Sequence, residues 1–180
     1  MAVGMAMAAK HLAAIYNKPG FDVVNSHIFA EVGDGDLMEG ISHETASLAG
    51  HLHLNNLIVL YDSNRNTMDS ALSAECNDNA AERFKAYGWN YLSVDDGNDL
   101  NAMDSAIQIA KHEQERPTII EVRTVLGYAS PFADSHLAHG AVLTEEQVQK
   151  TKQQLGYEYE PFDVPDDVYA TFKQICESGK

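Results

Sequence analysis

The chain has 180 residues, 44% of them apolar, and a formal net charge of −15 at pH 7. Its length suits a single domain, and its apolar share is sufficient for a hydrophobic core. The acidic charge argues against a nucleic-acid partner, because phosphate backbones are bound by clustered Lys and Arg.

Targeting and redox features are the next constraints. The sequence has no apolar run long enough to span a bilayer and no basic amino terminus followed by an apolar signal core. Cys76 and Cys176 lie far apart in the chain, without metal-binding spacing near either, which is typical of reduced thiols. We therefore expect a soluble cytoplasmic protein without a membrane partner.

The first predicted element, residues 1–16, is rich in Ala and Met and apolar on nearly all sides. Such a helix is usually buried from several directions. Alternating elements follow it: strands at 28–32, 57–61, 89–94 and 118–125, and helices at 37–52, 77–87, 99–114 and 168–178. Strands separated by helices of this length predict an α/β fold, a doubly wound parallel sheet with helices on both faces.

The helix between the first two strands carries apolar residues at the three-and-four spacing of one face, among them Ile41, Leu48 and Leu52. Together with residues 1–16, this stripe exceeds the apolar surface that one domain of this size can cover, which predicts association. Glu44 falls at the margin of the stripe. From spacing alone, it either reaches solvent or has a partner.

Two turns that follow the first two strands carry the candidate site. Residues 33–35 are Gly-Asp-Gly, and residues 64–66 are Asn-Arg-Asn. A strand, helix and strand of this length predict a right-handed parallel crossover, in which both strands end at the same sheet edge. We therefore expect Asp34 and Asn64 to lie close together at the edge where open α/β sheets bind ligands.

These turns offer the chemistry of a diphosphate and a magnesium ion. Gly35 allows a phosphate to approach the backbone, and a helix opening near residues 36–38 would direct free N–H groups at it. The Asp34 carboxylate would repel the diphosphate unless a cation lay between them. Asp34, Asn64 and the carbonyl of residue 66 supply the oxygen ligands that Mg²⁺ prefers. Either tripeptide alone is better explained as an ordinary turn.

The Gly-Asp-Gly turn followed by Asn64 resembles the motif of thiamine diphosphate enzymes, and longer segments resemble transketolase specifically. The transketolase-like segments are residues 36–44, 46–52, 81–89, 95–99 and 117–127. The resemblance runs from Val3 to about Phe162 and corresponds to the later part of the family's cofactor-diphosphate domain. It implies a partial thiamine diphosphate-binding domain at 1–162 and a C-terminal extension with a short helix at 163–180.

The resemblance also implies site residues for thiamine diphosphate and for Mg²⁺, or Ca²⁺ or Mn²⁺ in its place. The expected cofactor-binding residues are Gly33, Asp34, Gly35, Asn64 and His139. The expected metal ligands are Asp34, Asn64 and Asn66, the last through its backbone carbonyl. Asn66 stands where the family usually has isoleucine.

Three more residues take roles from the resemblance. His139, followed by Gly-Ala, matches a catalytic histidine that contacts the diphosphate and the substrate near the reacting carbon. An imidazole can donate hydrogen bonds to anionic and hydroxyl oxygens there. Glu39 and Glu44 match acids at the family's dimer interface that link its two active sites. The residues Phe132 and Ala133 stand where the family usually has an asparagine-lysine pair.

The implied activity is that of a transketolase, in the pentose phosphate pathway of carbohydrate metabolism. Such enzymes transfer a two-carbon ketol unit from a ketose phosphate to an aldose phosphate. The family's upstream Gly-rich loop and following pyrimidine domain are absent, so we expect a truncated or split enzyme that is inactive alone. Its expected partners are sugar phosphates, a second copy and a separate pyrimidine-domain chain. A related dihydroxyacetone synthase, or an inactive fragment that only docks with another chain, stays open.

Overall fold

The computed structural model describes residues 1–179. Its strands are β1 (Ile28–Gly33), β2 (Leu57–Ser63), β3 (Asn90–Val94) and β4 (Thr118–Arg123). They form one parallel sheet in the order β1-β2-β4-β3. The helices are α1 (Ala2–Tyr16), α2 (Asp34–Met38), α3 (Gly40–His51), α4 (Ala80–Ala86), α5 (Leu100–His112), α6 (Glu145–Gln154) and α7 (Asp166–Ser178). Short 3₁₀ turns occupy Leu72–Ala74 and His136–His139.

Helices cover both faces of the sheet, which confirms the predicted fold class. On one face, α1, α3 and α4 pack over β1, β2 and β4 in a cluster that includes Ala49, Leu57 and Trp89. On the other face, α5 packs its alanines Ala106 and Ala110 against β2, β3 and β4. All four predicted strands are present, with ends shifted by up to two residues.

The expectation that α1 is buried from several directions is wrong. Only Ala6 is fully buried in this helix, while Met5, Leu12 and Ile15 are exposed. The helix lies in the outer layer, so it can bury only the side that faces the sheet.

The predicted helix at 37–52 is two helices. The first, α2, begins at Asp34, directly after β1, and the chain then becomes extended at Glu39 before α3 begins. The Asp36 carboxylate accepts the Gly33 N–H at 2.7 Å, which caps the start of α2. The helix opening therefore lies at the Gly-Asp-Gly turn itself and not near residues 36–38.

The two sides of α3 differ in residue size. Its sheet-facing side consists of small residues, Ala46, Ala49 and Gly50, whereas the apolar stripe of Ile41, Leu48 and Leu52 faces outward. A Cβ on Gly50 would lie 1.8 Å from the carbonyl oxygen of Tyr87, so only glycine permits this approach.

The chain divides into two compact units. The first comprises Met1–Tyr128 and Phe132–Gly140, and holds the sheet. The second comprises Ala129–Pro131 and the chain from Ala141 onward, with α6 and α7. The domain boundary at residue 162 stays a prediction. Within residues 1–179, no helix has the length and apolar character needed to cross a membrane.

Candidate functional site

The structure brings the two candidate turns together at the carboxyl edge of the sheet. Strands β1 and β2 pair in parallel, and the register places Gly33, the residue before Asp34, opposite Asp62. The hydroxyl of Tyr61, near the end of β2, donates to Asp34 Oδ1 at 2.5 Å. The turn after β1 is thus joined directly to the end of β2.

Asp34 is the most deeply buried polar side chain of this edge, with 3% of its surface exposed. Its second carboxylate oxygen, Oδ2, is also buried and has no hydrogen-bond partner among residues 1–179. Burial raises the pKa of Asp34 above its usual value, and the negative charge of Asp62 adds to the effect. The Tyr61 hydroxyl and the nearby backbone amides of Arg65 and Asn66 oppose that rise in pKa. A buried carboxylate with one unsatisfied oxygen is costly, and a bound cation would offset that cost.

The second turn is a closed unit of hydrogen bonds. The backbone N–H of Asn66 donates to Asn64 Oδ1 at 2.9 Å, and Asn66 Nδ2 donates to the Asn64 carbonyl at 2.9 Å. Asn64 Nδ2 in turn donates to Asp62 Oδ2 at 3.0 Å. These hydrogen bonds fix the orientation of the Asn64 side-chain amide, with its oxygen towards Asn66 and its nitrogen towards Asp62. They hold that oxygen in the turn, where a second lone pair remains for a ligand.

The sequence analysis missed two residues of the candidate site, Tyr61 and Asp62. Tyr61 was assigned only to the predicted strand at 57–61, and Asp62 was given no role. Burial and the bond to Asp34 raise the pKa of Tyr61 above its usual value, so its hydroxyl remains protonated and donates. Thr124, just after β4, donates its hydroxyl to Asp62 Oδ1. The available signal was the tyrosine-aspartate pair at 61–62, which only one residue separates from Asn64.

The donor set fits a hard divalent cation with oxygen ligands. Residues 1–179 contain no group of three or more His, Cys, Asp or Glu side chains that could hold a metal ion. A site at these turns would therefore combine one carboxylate, from Asp34, with neutral oxygens of Asn64 and Asn66, and other ligands from outside the protein. Gly35 has no atom within 4 Å of where a Cβ would lie, so the backbone there is open to approach.

The remaining predicted residues are not joined to this cluster. His139 is exposed at the end of the second 3₁₀ turn, and no hydrogen bond among residues 1–179 links it to Asp34 or Asn64. Glu39 and Glu44 are exposed as well, the first between α2 and α3 and the second beside the outward apolar stripe. Exposure in a single chain does not choose between the two alternatives for Glu44, so its role at an interface stays a prediction.

A partly buried arginine holds the helix that starts at the candidate site. Arg83 of α4 donates from Nη1 to the carbonyl of Leu37, at 3.1 Å, and pairs with Asp78 at 2.7 Å. The same nitrogen lies 3.1 Å from His43 Nε2. The other ring nitrogen of His43, Nδ1, lies 3.2 Å from the Tyr87 hydroxyl. This network fixes α2 and α3 on α4.

Comparison with known proteins gives a consistent result. The family model for "Transketolase, thiamine diphosphate binding domain" matches residues 1–180. A transketolase of Geobacillus stearothermophilus is 49% identical over 179 residues, which cover 98% of this chain and 27% of that protein. A transketolase of Staphylococcus epidermidis is 51% identical over 175 residues, with 96% and 26% covered.

Solved structures agree with the sequence relatives. A transketolase from Pichia stipitis superposes with a TM-score of 0.93 at 37% identity, covering 96% of this chain and 26% of that one. The transketolase of Leishmania mexicana gives the same four values. The chain thus spans about a quarter of the length of the curated relatives it matches.

Proposed function

The chain belongs to the thiamine diphosphate-binding domain family of transketolases, and from this we propose that the Asp34 turn binds Mg²⁺ and, through it, the diphosphate of thiamine diphosphate. The observation that carries the proposal is the buried Asp34 carboxylate, whose Oδ2 has no partner among the described residues. It lies beside a turn whose amide oxygen is held in a fixed orientation. Mg²⁺ would satisfy the unpaired oxygen and remove the repulsion between carboxylate and diphosphate.

Each residue then has a distinct part. Asp34 contributes the negative charge to the metal, and Asn64 and the carbonyl of Asn66 contribute neutral oxygens. Gly33 and Gly35 would lie against the diphosphate at the start of α2, and Gly35 leaves the backbone open to its approach. Tyr61 holds Asp34 in its orientation. When bound, thiamine diphosphate supplies the reactive carbon for transfer of a two-carbon unit.

The proposed whole activity is that of a cytoplasmic transketolase acting on sugar phosphates. Because the chain spans about a quarter of its relatives, we expect it to act only with the pyrimidine domain of another chain or segment. The exposed stripe of α3, flanked by Glu39 and Glu44, supports association into a dimer at that helix. His139 is proposed to donate hydrogen bonds to the diphosphate and the substrate once the site is assembled.

A chimera tests this proposal. The chain replaces its aligned stretch in the Geobacillus stearothermophilus relative, and the product is assayed with xylulose 5-phosphate and ribose 5-phosphate. We expect magnesium-dependent transfer by the chimera and none by the isolated chain. A chimera that folds and dimerises but lacks activity would overturn the proposed function. Turnover by the isolated chain would overturn its dependence on a partner.

A further inference from the structure

A separate cavity of about 480 Å³ opens beside the Asn64 turn. Its volume lies within the roughly 300–1,000 Å³ typical of small-molecule sites. The residues that line it are Arg65, Asn66, Ala71, Leu72, Ser73, Cys76, Arg123 and Asp134. All of them belong to the first compact unit, and Asn66 is shared with the proposed metal site.

The cavity is locally positive in a strongly acidic chain. The sequence has 12 Lys and Arg against 27 Asp and Glu, yet two arginines and one aspartate line this space. Asp134 Oδ1 forms an ion pair with Arg123 Nη2 at 3.9 Å, a distance too long for a hydrogen bond. Arg123 is anchored by Nη1, which donates to the Ser63 carbonyl at 2.7 Å. Its remaining N–H groups are therefore available to a ligand.

Arg65 is held at its backbone and free at its guanidinium. Its φ is 61°, a left-handed conformation that is uncommon for a long side chain. The Leu72 N–H donates to the Arg65 carbonyl at 2.9 Å, which fixes the turn against the segment that forms the cavity wall. The exposed side chain makes no ion pair or hydrogen bond among residues 1–179. The backbone of Arg65 thus has an unfavourable conformation, and its charged side chain has no partner. Together these two features point to a ligand.

We propose that Arg65 and Arg123 bind a phosphate group in this cavity. A guanidinium presents planar, paired N–H donors that match two phosphate oxygens at once. The phosphate comes either from the solution or from a sugar phosphate substrate, and only the second source rests on the proposed function. The site uses neither Asp34 nor a metal, so it binds phosphate whether or not the metal site does.

Titration of the isolated chain with inorganic phosphate, without Mg²⁺ or cofactor, tests the site by calorimetry and ³¹P NMR. We expect saturable binding that Arg65→Gln weakens about tenfold or more, because it removes a charge-assisted donor pair. Arg116→Gln is the matched control, since Arg116 pairs with Glu113 on the surface, and it should bind like the parent. Because neither Mg²⁺ nor cofactor is present, this titration measures phosphate binding independently of the proposed metal site.

Several results would overturn the proposal. They are the absence of saturable phosphate binding by the parent, unchanged binding by Arg65→Gln, and equal weakening by Arg116→Gln. Because Arg65 is exposed, its replacement does not endanger folding. Arg123→Gln provides the second test and should weaken binding similarly if circular dichroism shows it folded.

The source of the phosphate is then decided by comparing ligands. Ribose 5-phosphate that binds more tightly than inorganic phosphate, and loses this advantage in Arg65→Gln, assigns the cavity to the substrate phosphate. Equal affinities assign it to free phosphate. Equal binding of ribose without phosphate would contradict both, because the sugar and not the anion would be recognised.

Discussion

The Asp34 turn and the His139 loop were both predicted as parts of one site, but they differ in how far this chain builds them. Asp34 is buried, bonded to Tyr61 and close to a turn whose hydrogen bonds are internally satisfied. His139 is exposed at the end of a 3₁₀ turn. The proposed metal-binding end of the site is therefore preorganised within the chain, whereas at the proposed substrate end the chain fixes only the backbone position of His139.

The difference follows from what supports each residue. Asp34 begins a helix directly after β1, and its partner Tyr61 lies in the adjacent strand, so the sheet register fixes both. His139 is reached through a long loop without a strand partner, where only the Ser135 hydroxyl caps the turn, by accepting the Leu137 N–H at 3.3 Å. Sites on regular elements are held more precisely than sites on loops.

Among the variants that keep Asp34, Asn64→Ala should show the largest loss of affinity for magnesium and thiamine diphosphate. It removes a proposed neutral metal ligand together with the hydrogen bonds that orient the turn. Loss of a hydrogen bond to a charged group costs roughly 1.5–3 kcal/mol, or about ten- to a hundredfold in affinity. Calorimetry of magnesium and thiamine diphosphate binding to the chimera would measure it. Asn98→Ala, at an exposed turn before α5, is the control, and equal losses in both would contradict the preorganised turn.

Tyr61→Phe should destabilise the chain by about 1–3 kcal/mol, because it leaves the buried Asp34 Oδ1 without its donor. The hydrogen bond from Tyr61 opposes the raised pKa of Asp34, so its loss should raise that pKa further and shift metal binding to higher pH. Denaturant unfolding and pH-dependent Mn²⁺ binding would measure the two effects. Tyr128→Phe is the exposed control. Parent-like values for Tyr61→Phe would show that Asp34 is held by other groups.

Asp34→Asn should stabilise the metal-free chain at neutral pH by on the order of 1 kcal/mol, since it removes a buried charge. The pKa of Asp34 is raised in the fold, so its contribution to stability is greatest below the unfolded value of 3.8 and is lost as pH rises through the folded value. The advantage of the variant should therefore grow from about pH 4 to pH 7. A difference that shrinks over this range would contradict the burial argument.

His139→Ala should have the smallest effect on the isolated chain, within about 0.5 kcal/mol of the parent in stability, as for an exposed position. In the chimera it should lower turnover while leaving more cofactor binding than Asn64→Ala leaves. Steady-state kinetics and calorimetry of the same preparations would separate the two. A large loss of stability would mean that the loop is as firmly built as the Asp34 turn, and the comparison would fail.

The strands, and the meeting of the two turns at one sheet edge, could be predicted from the sequence, because short apolar runs ended by Gly or Asn have few alternatives. The α2–α3 break could not, since it depends on Asp36 capping α2 and on the extended backbone at Glu39. The sequence also did not show which side of α3 faces the sheet. Ala and Gly carry little apolar signal, yet close packing selects them.

The helix α6 was not predicted because its residues are mostly polar and show no apolar periodicity. The sequence signal for this helix was the pair of capping residues at its start. Thr144 and Gln147 form reciprocal hydrogen bonds at its start, a capping box. The partner of Tyr61 required the sheet register, because the order of residues alone does not show that its hydroxyl meets the carboxylate at the start of α2.

The central claim is that Asp34 supplies the charge on which magnesium-dependent cofactor binding depends. It is tested most directly by calorimetric titration of thiamine diphosphate, with and without Mg²⁺, into the chimera and into its Asp34→Ala variant. We expect Mg²⁺ to strengthen binding to the parent and to have no effect on the variant, with Asp104→Ala on the exposed side of α5 behaving as the parent. Parent-like binding by Asp34→Ala, with the same magnesium dependence, would show that the Gly-Asp-Gly turn is only a turn.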